Sequence, residues 1–115
     1  MQHPEQILQI ACVSFFRYQY PHLATLLHNN RNNSTSAREG GKHRKMGSVA
    51  GVADLVLYVR RQGFGALFIE LKSETGRQSA DQKSWQRDIT AQGYLYVVVR
   101  TFDEFETTIR QYIND

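Results

Sequence analysis

Apolar residues recur along this chain with two different spacings, which predict helices and strands. Between residues 4 and 19 they fall on one broad helical face, and Pro4 suits the first turn of such a helix. A second helix is expected to begin after Ser79, a good N-cap, and to end at Gly93. Residues 103–113 have the spacing of a third, amphipathic helix. The pattern therefore predicts helices at the start of the chain, after its midpoint and at its end.

Short runs rich in aliphatic, β-branched and aromatic residues predict strands, because such residues fit a pleated, half-buried surface. These runs are residues 23–28, which is the weakest, 54–59, 66–71 and 94–100. A polar, glycine-containing segment joins the second run to the third, as in a β-hairpin. The helix after Ser79 joins the third run to the fourth, as in a βαβ unit. The predicted order is α-β-β-β-α-β-α, an α/β fold with a mixed β-sheet.

The predicted hairpin brings candidate chemistry to one edge of the sheet. If its strands pair antiparallel, Asp54 at the start of one lies beside Glu70 at the end of the other. Mg²⁺ prefers oxygen ligands and is often held by only one or two carboxylates, so these two residues suffice for Mg²⁺ or Mn²⁺. The main-chain carbonyl of Leu71 is a further candidate ligand. Strand alternation sends Lys72 to the same face as Glu70, where it would position a water or stabilise charge on a phosphate.

The same residues have simpler interpretations, because an Asp followed by Glu-x-Lys is common by chance. Asp54 and Glu70 would then be solvated strand ends, and Lys72 an ordinary surface lysine. Glu5, on the first helix, either looks toward the carboxylate site or is an acidic first-turn residue favoured by the helix dipole. Gln82, one turn into the second helix, either reaches the same edge of the sheet or is exposed.

Composition predicts one compact domain over residues 1–115, because a chain of 115 residues with 41% hydrophobic content can build one core.

The formal charge of +3 is unevenly distributed: residues 1–50 hold six Lys or Arg against two Asp or Glu, and residues 51–115 hold eight against nine. Most of the excess lies in a polar stretch from Asn29 to Ser48, which predicts a long loop. A basic loop suits the phosphate backbone of DNA, although a solvated connector would look similar. The candidate DNA-binding residues are Arg38, Lys42, Arg44 and Lys45.

Several other functional classes lack their signatures here. The histidines have neither HxxxH nor HExxH spacing, and the single cysteine, Cys12, gives neither a zinc motif nor an internal disulfide. Cys12 lies among apolar residues and is expected to be a small buried hydrophobe. The sequence shows no secretion signal and no apolar run near the roughly 18 residues of a membrane span, which predicts a cytoplasmic location. Walker-type glycine loops and GxSxG elbows are also missing from the sequence.

A wider set of motifs resembles the virus-type replication-repair nuclease (VRR-NUC) domain of the PD-(D/E)XK nuclease superfamily, over nearly the whole chain. The motifs are Glu5 and Gln9, Tyr20-Pro21, Lys45-Met46-Gly47, Gly51-Val52-Ala53-Asp54, Phe68-Ile69-Glu70-Leu71-Lys72, Ser79, Gln82 and Trp85, Gly93-Tyr94, and Val97-Val98-Val99-Arg100. Ala53 stands where the family usually has proline, which would only fix a backbone angle. The resemblance implies a PD-(D/E)XK sandwich with Asp54, Glu70 and Lys72 as catalytic core. It also implies that Glu5 is an acidic residue near the metal and that Gln82 is an active-site helix residue.

The function expected from this resemblance is a Mg²⁺- or Mn²⁺-dependent endonuclease for flapped, splayed or four-way branched DNA, in phage or prophage replication and repair. It would act in the cytoplasm of a bacterium or a phage-infected host cell. A non-catalytic DNA-binding or assembly module is the main alternative, and a site-specific restriction or transposition endonuclease is a third. A homodimer is expected, since resolving a four-way junction requires two matching cuts. The candidate apolar and aromatic residues for a dimer contact include Phe15, Phe16, Tyr18, Tyr20, Trp85 and Tyr94.

Overall fold

The computed structural model describes residues 3–30, 41–42 and 44–114, which form a mixed sheet with helices on both faces. The helices are α1 (Pro4–Gln19), α2 (Ala80–Ala91) and α3 (Phe102–Ile113). The strands are β1 (Leu27–Asn29), β2 (Leu55–Leu57), β3 (Leu67–Leu71) and β4 (Leu95–Val99). A 3₁₀ helix, Pro21–Leu26, precedes β1, and residues 41, 42, 44 and 45 are also helical. The predicted mixed α/β fold is confirmed, but part of the predicted basic loop is helical.

The strands lie in the order β1-β2-β3-β4. β2 pairs antiparallel with both β1 and β3, whereas β3 pairs parallel with β4. The loop between β2 and β3 closes with a tight turn in which Arg61 and Phe64 exchange main-chain hydrogen bonds. Gln62 and Gly63 at its centre have φ values of 53° and 84°, as a type I′ turn requires. This turn confirms the predicted hairpin.

The main core lies between the sheet and the pair α1 and α3. Leu67, Ile69 and Leu71 of β3 point toward it, together with residues such as Cys12 of α1 and Phe105 of α3. Cys12 is fully buried, which confirms the expectation of a small buried hydrophobe, and this burial raises the pKa of its thiol to about 12. No helix among the described residues has both the length and the apolar character needed to cross a membrane.

The opposite face of the sheet is covered by α2. Because side chains alternate along a strand, Phe68 points away from the main core, and its ring packs edge-on against Trp85 of α2 at 5.2 Å between centroids. Phe68 also contacts Tyr94 at 5.5 Å, and Trp85 contacts Tyr96 at 6.1 Å. Glu70 follows the same alternation as Phe68, so its side chain emerges on the α2 face.

The predicted first strand, residues 23–28, is wrong over most of its length. Pro21 suits the first turn of a helix because its φ is fixed and its missing N–H is not needed there, and the 3₁₀ helix Pro21–Leu26 forms instead. In a 3₁₀ helix residues three apart share a face, which lets Leu23 and Leu26 both pack on the core. Pairing with β2 begins only at Leu27.

Candidate active site

The hairpin places the two predicted carboxylates side by side at one edge of the sheet. Leu55 of β2 pairs with Ile69 of β3, so the residue before Leu55 faces the residue after Ile69. These residues are Asp54 and Glu70, with exposed fractions of 3% and 0%. The interpretation of both as solvated strand ends is therefore wrong.

Asp54 is fixed against the main chain of β3. Its Oδ2 accepts a hydrogen bond from the N–H of Leu71 at 2.7 Å, at the short end of the usual range for such bonds. Leu71 is the residue whose carbonyl is the candidate third metal ligand. The structure thus brings Asp54, Glu70 and Leu71 together, and coordination by the Leu71 carbonyl stays a prediction.

Glu70 is surrounded by polar groups on the α2 face. Its Oε2 lies 3.6 Å from Lys72 Nζ and accepts a hydrogen bond from Gln82 Nε2 at 3.0 Å. The Lys72 side chain is itself only 10% exposed, so it is not an ordinary surface lysine. Burying a carboxylate and an ammonium is unfavourable unless the two are paired and hydrogen-bonded. Glu70 is both paired and hydrogen-bonded and Lys72 is paired with it, so the contacts join Glu70, Lys72 and Gln82 into one cluster.

Gln82 holds its position through the start of α2. Its Oε1 accepts from the N–H of Ser79 at 2.8 Å, while its own N–H donates to Ser79 Oγ at 3.1 Å, which is a capping box. The segment before β2 packs tightly on this helix end. A Cβ at Gly51 would overlap the Asp81 carbonyl and lie 2.8 Å from the Gln82 nitrogen, and Gly51 has a positive φ of 87°. Gly51 therefore lets the chain that leads to Asp54 pass directly over the end of α2.

Tyr96 belongs to the site, although the sequence reasoning did not identify it. Its hydroxyl donates to Glu70 Oε1 at 3.5 Å and accepts from Gln78 Nε2 at 3.2 Å. Burial, and secondarily the charge of Glu70, raise the pKa of Tyr96 well above its ordinary value, so the phenol stays protonated and can donate. The signal in the sequence was weak, because residues 94–100 form one continuous apolar run with no obvious polar face.

Glu5 lies at the edge of this cluster. Its Oε2 accepts from the N–H of Ser73 at 3.3 Å, one residue beyond Lys72. Within residues 3–30, 41–42 and 44–114, no three His, Cys, Asp or Glu side chains group closely enough to hold a metal together. The described carboxylate arrangement is therefore the pair Asp54 and Glu70. Such a pair suits Mg²⁺, which keeps several waters and takes few protein ligands.

The structure describes three of the four candidate DNA-binding residues. Lys42, Arg44 and Lys45 are exposed and helical, so their charges face solvent on a short helical segment instead of a loop. Arg38 lies outside the described residues, as does His43. Contact of these basic residues with DNA stays a prediction.

The family can be identified from comparisons with known proteins. The model of the VRR-NUC domain matches residues 5–103. This chain belongs to the VRR-NUC family. The family is of the nuclease type, and the matched range includes Glu5, Asp54, Glu70, Lys72 and Gln82.

The VRR-NUC assignment agrees with a solved structure. A chain described as a VRR_NUC domain protein superposes with a TM-score of 0.85 at 24% sequence identity, covering 99% of this chain and 91% of the other. At that identity the match demonstrates a shared fold. A search of curated proteins gave no significant match.

Proposed function

We propose that this VRR-NUC protein is a divalent-metal-dependent endonuclease that cuts branched DNA, such as four-way junctions or flaps. The observation that carries the proposal is the clustering of two buried carboxylates with a buried lysine. Asp54 faces Glu70 across the hairpin, and Lys72 Nζ lies 3.6 Å from Glu70 Oε2. Family membership and the mixed α/β fold support a PD-(D/E)XK sandwich as the scaffold of this site.

The donor atoms fit a hard cation such as Mg²⁺ or Mn²⁺. Asp54 and Glu70 supply carboxylate oxygens, and Leu71 would add its main-chain carbonyl, which leaves positions for water and for phosphate. A bound divalent ion would lower the pKa of an attacking water and neutralise phosphate charge. Glu5, already bonded to Ser73, would contribute indirectly to the site instead of as a direct ligand.

The remaining side chains of the site would orient Glu70 and stabilise negative charge on the phosphate. Gln82 and Tyr96 bond different oxygens of Glu70 and hold the carboxylate in one orientation, as outer partners of metal ligands commonly do. Lys72 would position the attacking water or stabilise the negative charge that develops on the phosphate. Exposed basic residues at 42, 44 and 45 would bind the phosphate backbone without regard to sequence.

A non-catalytic DNA-binding module explains the burial less well. Glu70 is fully buried and Lys72 nearly so, and removing ions from water costs several kcal/mol each before any pairing. Well-packed apolar residues at such positions are often as stable or more stable. A module without chemistry would therefore have no use for this arrangement, whereas metal-dependent hydrolysis requires it.

The biological setting that we propose is phage or prophage replication and repair, in the cytoplasm of a bacterium or an infected host cell. We also propose a symmetric homodimer, because two matching cuts in a four-way junction need two sites in matching orientation. Most of the candidate aromatic residues for this contact are used within the fold. Phe16 and Tyr20 are buried, and Trp85 and Tyr94 pack on Phe68.

The outward face of α1 gives the dimer a testable location. Ile7 and Ile10 are each 54% exposed and Tyr18 is 88% exposed, and helical spacing places them opposite the buried Cys12 and Phe16. A contact through one helix face is self-complementary, as a twofold dimer requires. Sedimentation equilibrium should show a dimer that Ile10→Ser with Tyr18→Ser shifts toward monomer. A strict monomer at micromolar concentration would contradict the dimer and leave the nuclease proposal standing.

The proposed activity is tested with labelled linear, flapped and four-way DNAs incubated with Mg²⁺, Mn²⁺ or EDTA. We expect cleavage of the branched substrates with either metal and none with EDTA. Lys72→Ala should lower the single-turnover rate at saturating DNA and metal, because its role lies in the chemical step. Undiminished cleavage in EDTA would refute metal dependence, and binding without cleavage of every substrate would favour the DNA-binding module.

A further inference from the structure

The turn that follows β3, residues 73–76, is held from two sides by charged groups from distant parts of the chain. Arg100, just after β4, donates from Nη1 to the carbonyl oxygens of Ser73 at 2.9 Å and Gly76 at 2.5 Å. Glu5, in the first turn of α1, accepts from the N–H of Ser73 at 3.3 Å. The main-chain N–H of Ser73 thus donates to a carboxylate, and its carbonyl accepts from a guanidinium.

These bonds are not needed to close the turn. The N–H of Gly76 already donates to the carbonyl of Ser73 at 3.2 Å, which is the bond that defines a four-residue turn. The additional bonds connect the turn to α1 and to the end of β4. They therefore fix where the turn lies relative to the rest of the protein.

The residue whose position this determines is Lys72, immediately before the turn. The main-chain N–H of Lys72 donates to the carbonyl of Val99 at 3.0 Å, and Arg100 is the next residue after Val99. The last residue of β4 thus holds the main chain of Lys72, and the guanidinium of Arg100, the next residue, holds the carbonyl of Ser73. The main-chain N–H of Arg100 in turn donates a hydrogen bond to Glu104 Oε1 at 2.7 Å.

On the basis of the nuclease function proposed above, we propose that Arg100 is a positioning residue for cleavage. By fixing the turn at 73–76 it fixes the approach of Lys72 to the scissile phosphate. A guanidinium can donate to two carbonyls at once in a fixed geometry, which an ammonium reproduces poorly. Because catalysis depends on sub-ångström placement, a looser turn should slow the chemical step without weakening DNA binding.

The test compares Arg100→Lys and Arg100→Gln with the wild-type protein, and uses Arg110→Gln as matched control. Arg110 is a surface arginine on α3 that pairs with Glu106 at 2.8 Å, an interaction of small energetic value. We expect the single-turnover rate constant at saturating DNA and metal to fall about tenfold in Arg100→Lys and up to about 100-fold in Arg100→Gln. The DNA dissociation constant, the half-saturating metal concentration and the Arg110→Gln rate should stay within about twofold of wild type. The amide of Gly76 should exchange hydrogen faster in Arg100→Gln.

Each other outcome overturns the positioning role. An unchanged rate constant with fewer active molecules would assign Arg100 to stability alone, and weaker DNA binding with an unchanged saturated rate would make it a phosphate contact. Unchanged hydrogen exchange of the Gly76 amide in Arg100→Gln would show that Arg100 does not hold the turn in place. If the wild-type protein cleaves no DNA under any condition, the proposed function itself fails and the positioning role fails with it. A cleaving wild type with unaffected Arg100 variants refutes only the positioning role.

Discussion

Replacing Gln82 with alanine should lower both stability and activity, because its side-chain amide makes two separate contacts. Oε1 accepts from the N–H of Ser79 at 2.8 Å and caps α2, whereas Nε2 donates to Glu70 Oε2 at 3.0 Å. Ser79→Ala is the matched control. It removes the other bond of the capping box, from the Gln82 N–H to Ser79 Oγ at 3.1 Å, and leaves the Glu70 contact in place.

The expected magnitudes follow from these contacts. Losing one capping bond costs about 1 kcal/mol, and losing a hydrogen bond to an ionised group costs about 1.5–3 kcal/mol. The upper part of that range is expected here, because Glu70 is 0% exposed and water cannot easily replace the lost donor. We therefore expect the free energy of unfolding to fall by about 1 kcal/mol in Ser79→Ala and by about 3–4 kcal/mol in Gln82→Ala.

The two variants should differ more sharply in cleavage. Freeing the Glu70 carboxylate should reduce the single-turnover rate about 10- to 100-fold in Gln82→Ala, while Ser79→Ala should cleave at close to the wild-type rate. Stability is measured by urea unfolding in EDTA, and cleavage with a labelled four-way junction in Mg²⁺. Equal rates in Gln82→Ala and wild type, or equal rate losses in both variants, would refute the role of Gln82 in orienting Glu70.

Three other predictions follow from the site and the core. Tyr96→Phe should slow cleavage less than Gln82→Ala does, because its hydroxyl lies 3.5 Å from Glu70; a larger loss in single-turnover assays would show that the longer contact matters more. Replacing the exposed Lys42, Arg44 and Lys45 with alanine should weaken DNA binding for all sequences. The slope of log binding constant against log salt concentration should fall in magnitude by about one per lost phosphate contact, and an unchanged slope would show that these residues do not contact phosphate. Cys12 is fully buried with a pKa raised to about 12, so a thiol reagent at pH 8 should modify it only after denaturation, and fast labelling of the native protein would contradict its burial.

The hairpin and its carboxylates could be predicted because the signals that define them are local. Two apolar runs and a glycine-containing turn specify an antiparallel pair, and alternation then fixes which residues share the face of Glu70. The helix with Gln82 was also predictable, because Ser79 and Gln82 form a capping box within four residues. These features need no knowledge of distant contacts.

The parts that could not be predicted depend on distant contacts or on weak patterns. Arg100 meets Ser73 across 27 positions of the chain, and only the parallel pairing of β3 with β4 brings them together. Tyr96 is hidden in an apolar strand because its ring is apolar and only its hydroxyl is used. Residues 23–28 misled because leucines three apart suit either a short strand or a 3₁₀ helix.

The central claim is that Asp54 and Glu70 together form one metal-dependent cleavage site. The most direct measurement is single-turnover cleavage of a labelled four-way junction by Asp54→Asn and Glu70→Gln, with the surface changes Asp88→Asn on α2 and Glu106→Gln on α3 as matched controls. We predict that either site variant abolishes cleavage at every Mg²⁺ or Mn²⁺ concentration while it still folds and binds DNA, and that both controls cleave normally. Full cleavage by Asp54→Asn or Glu70→Gln would contradict the claim.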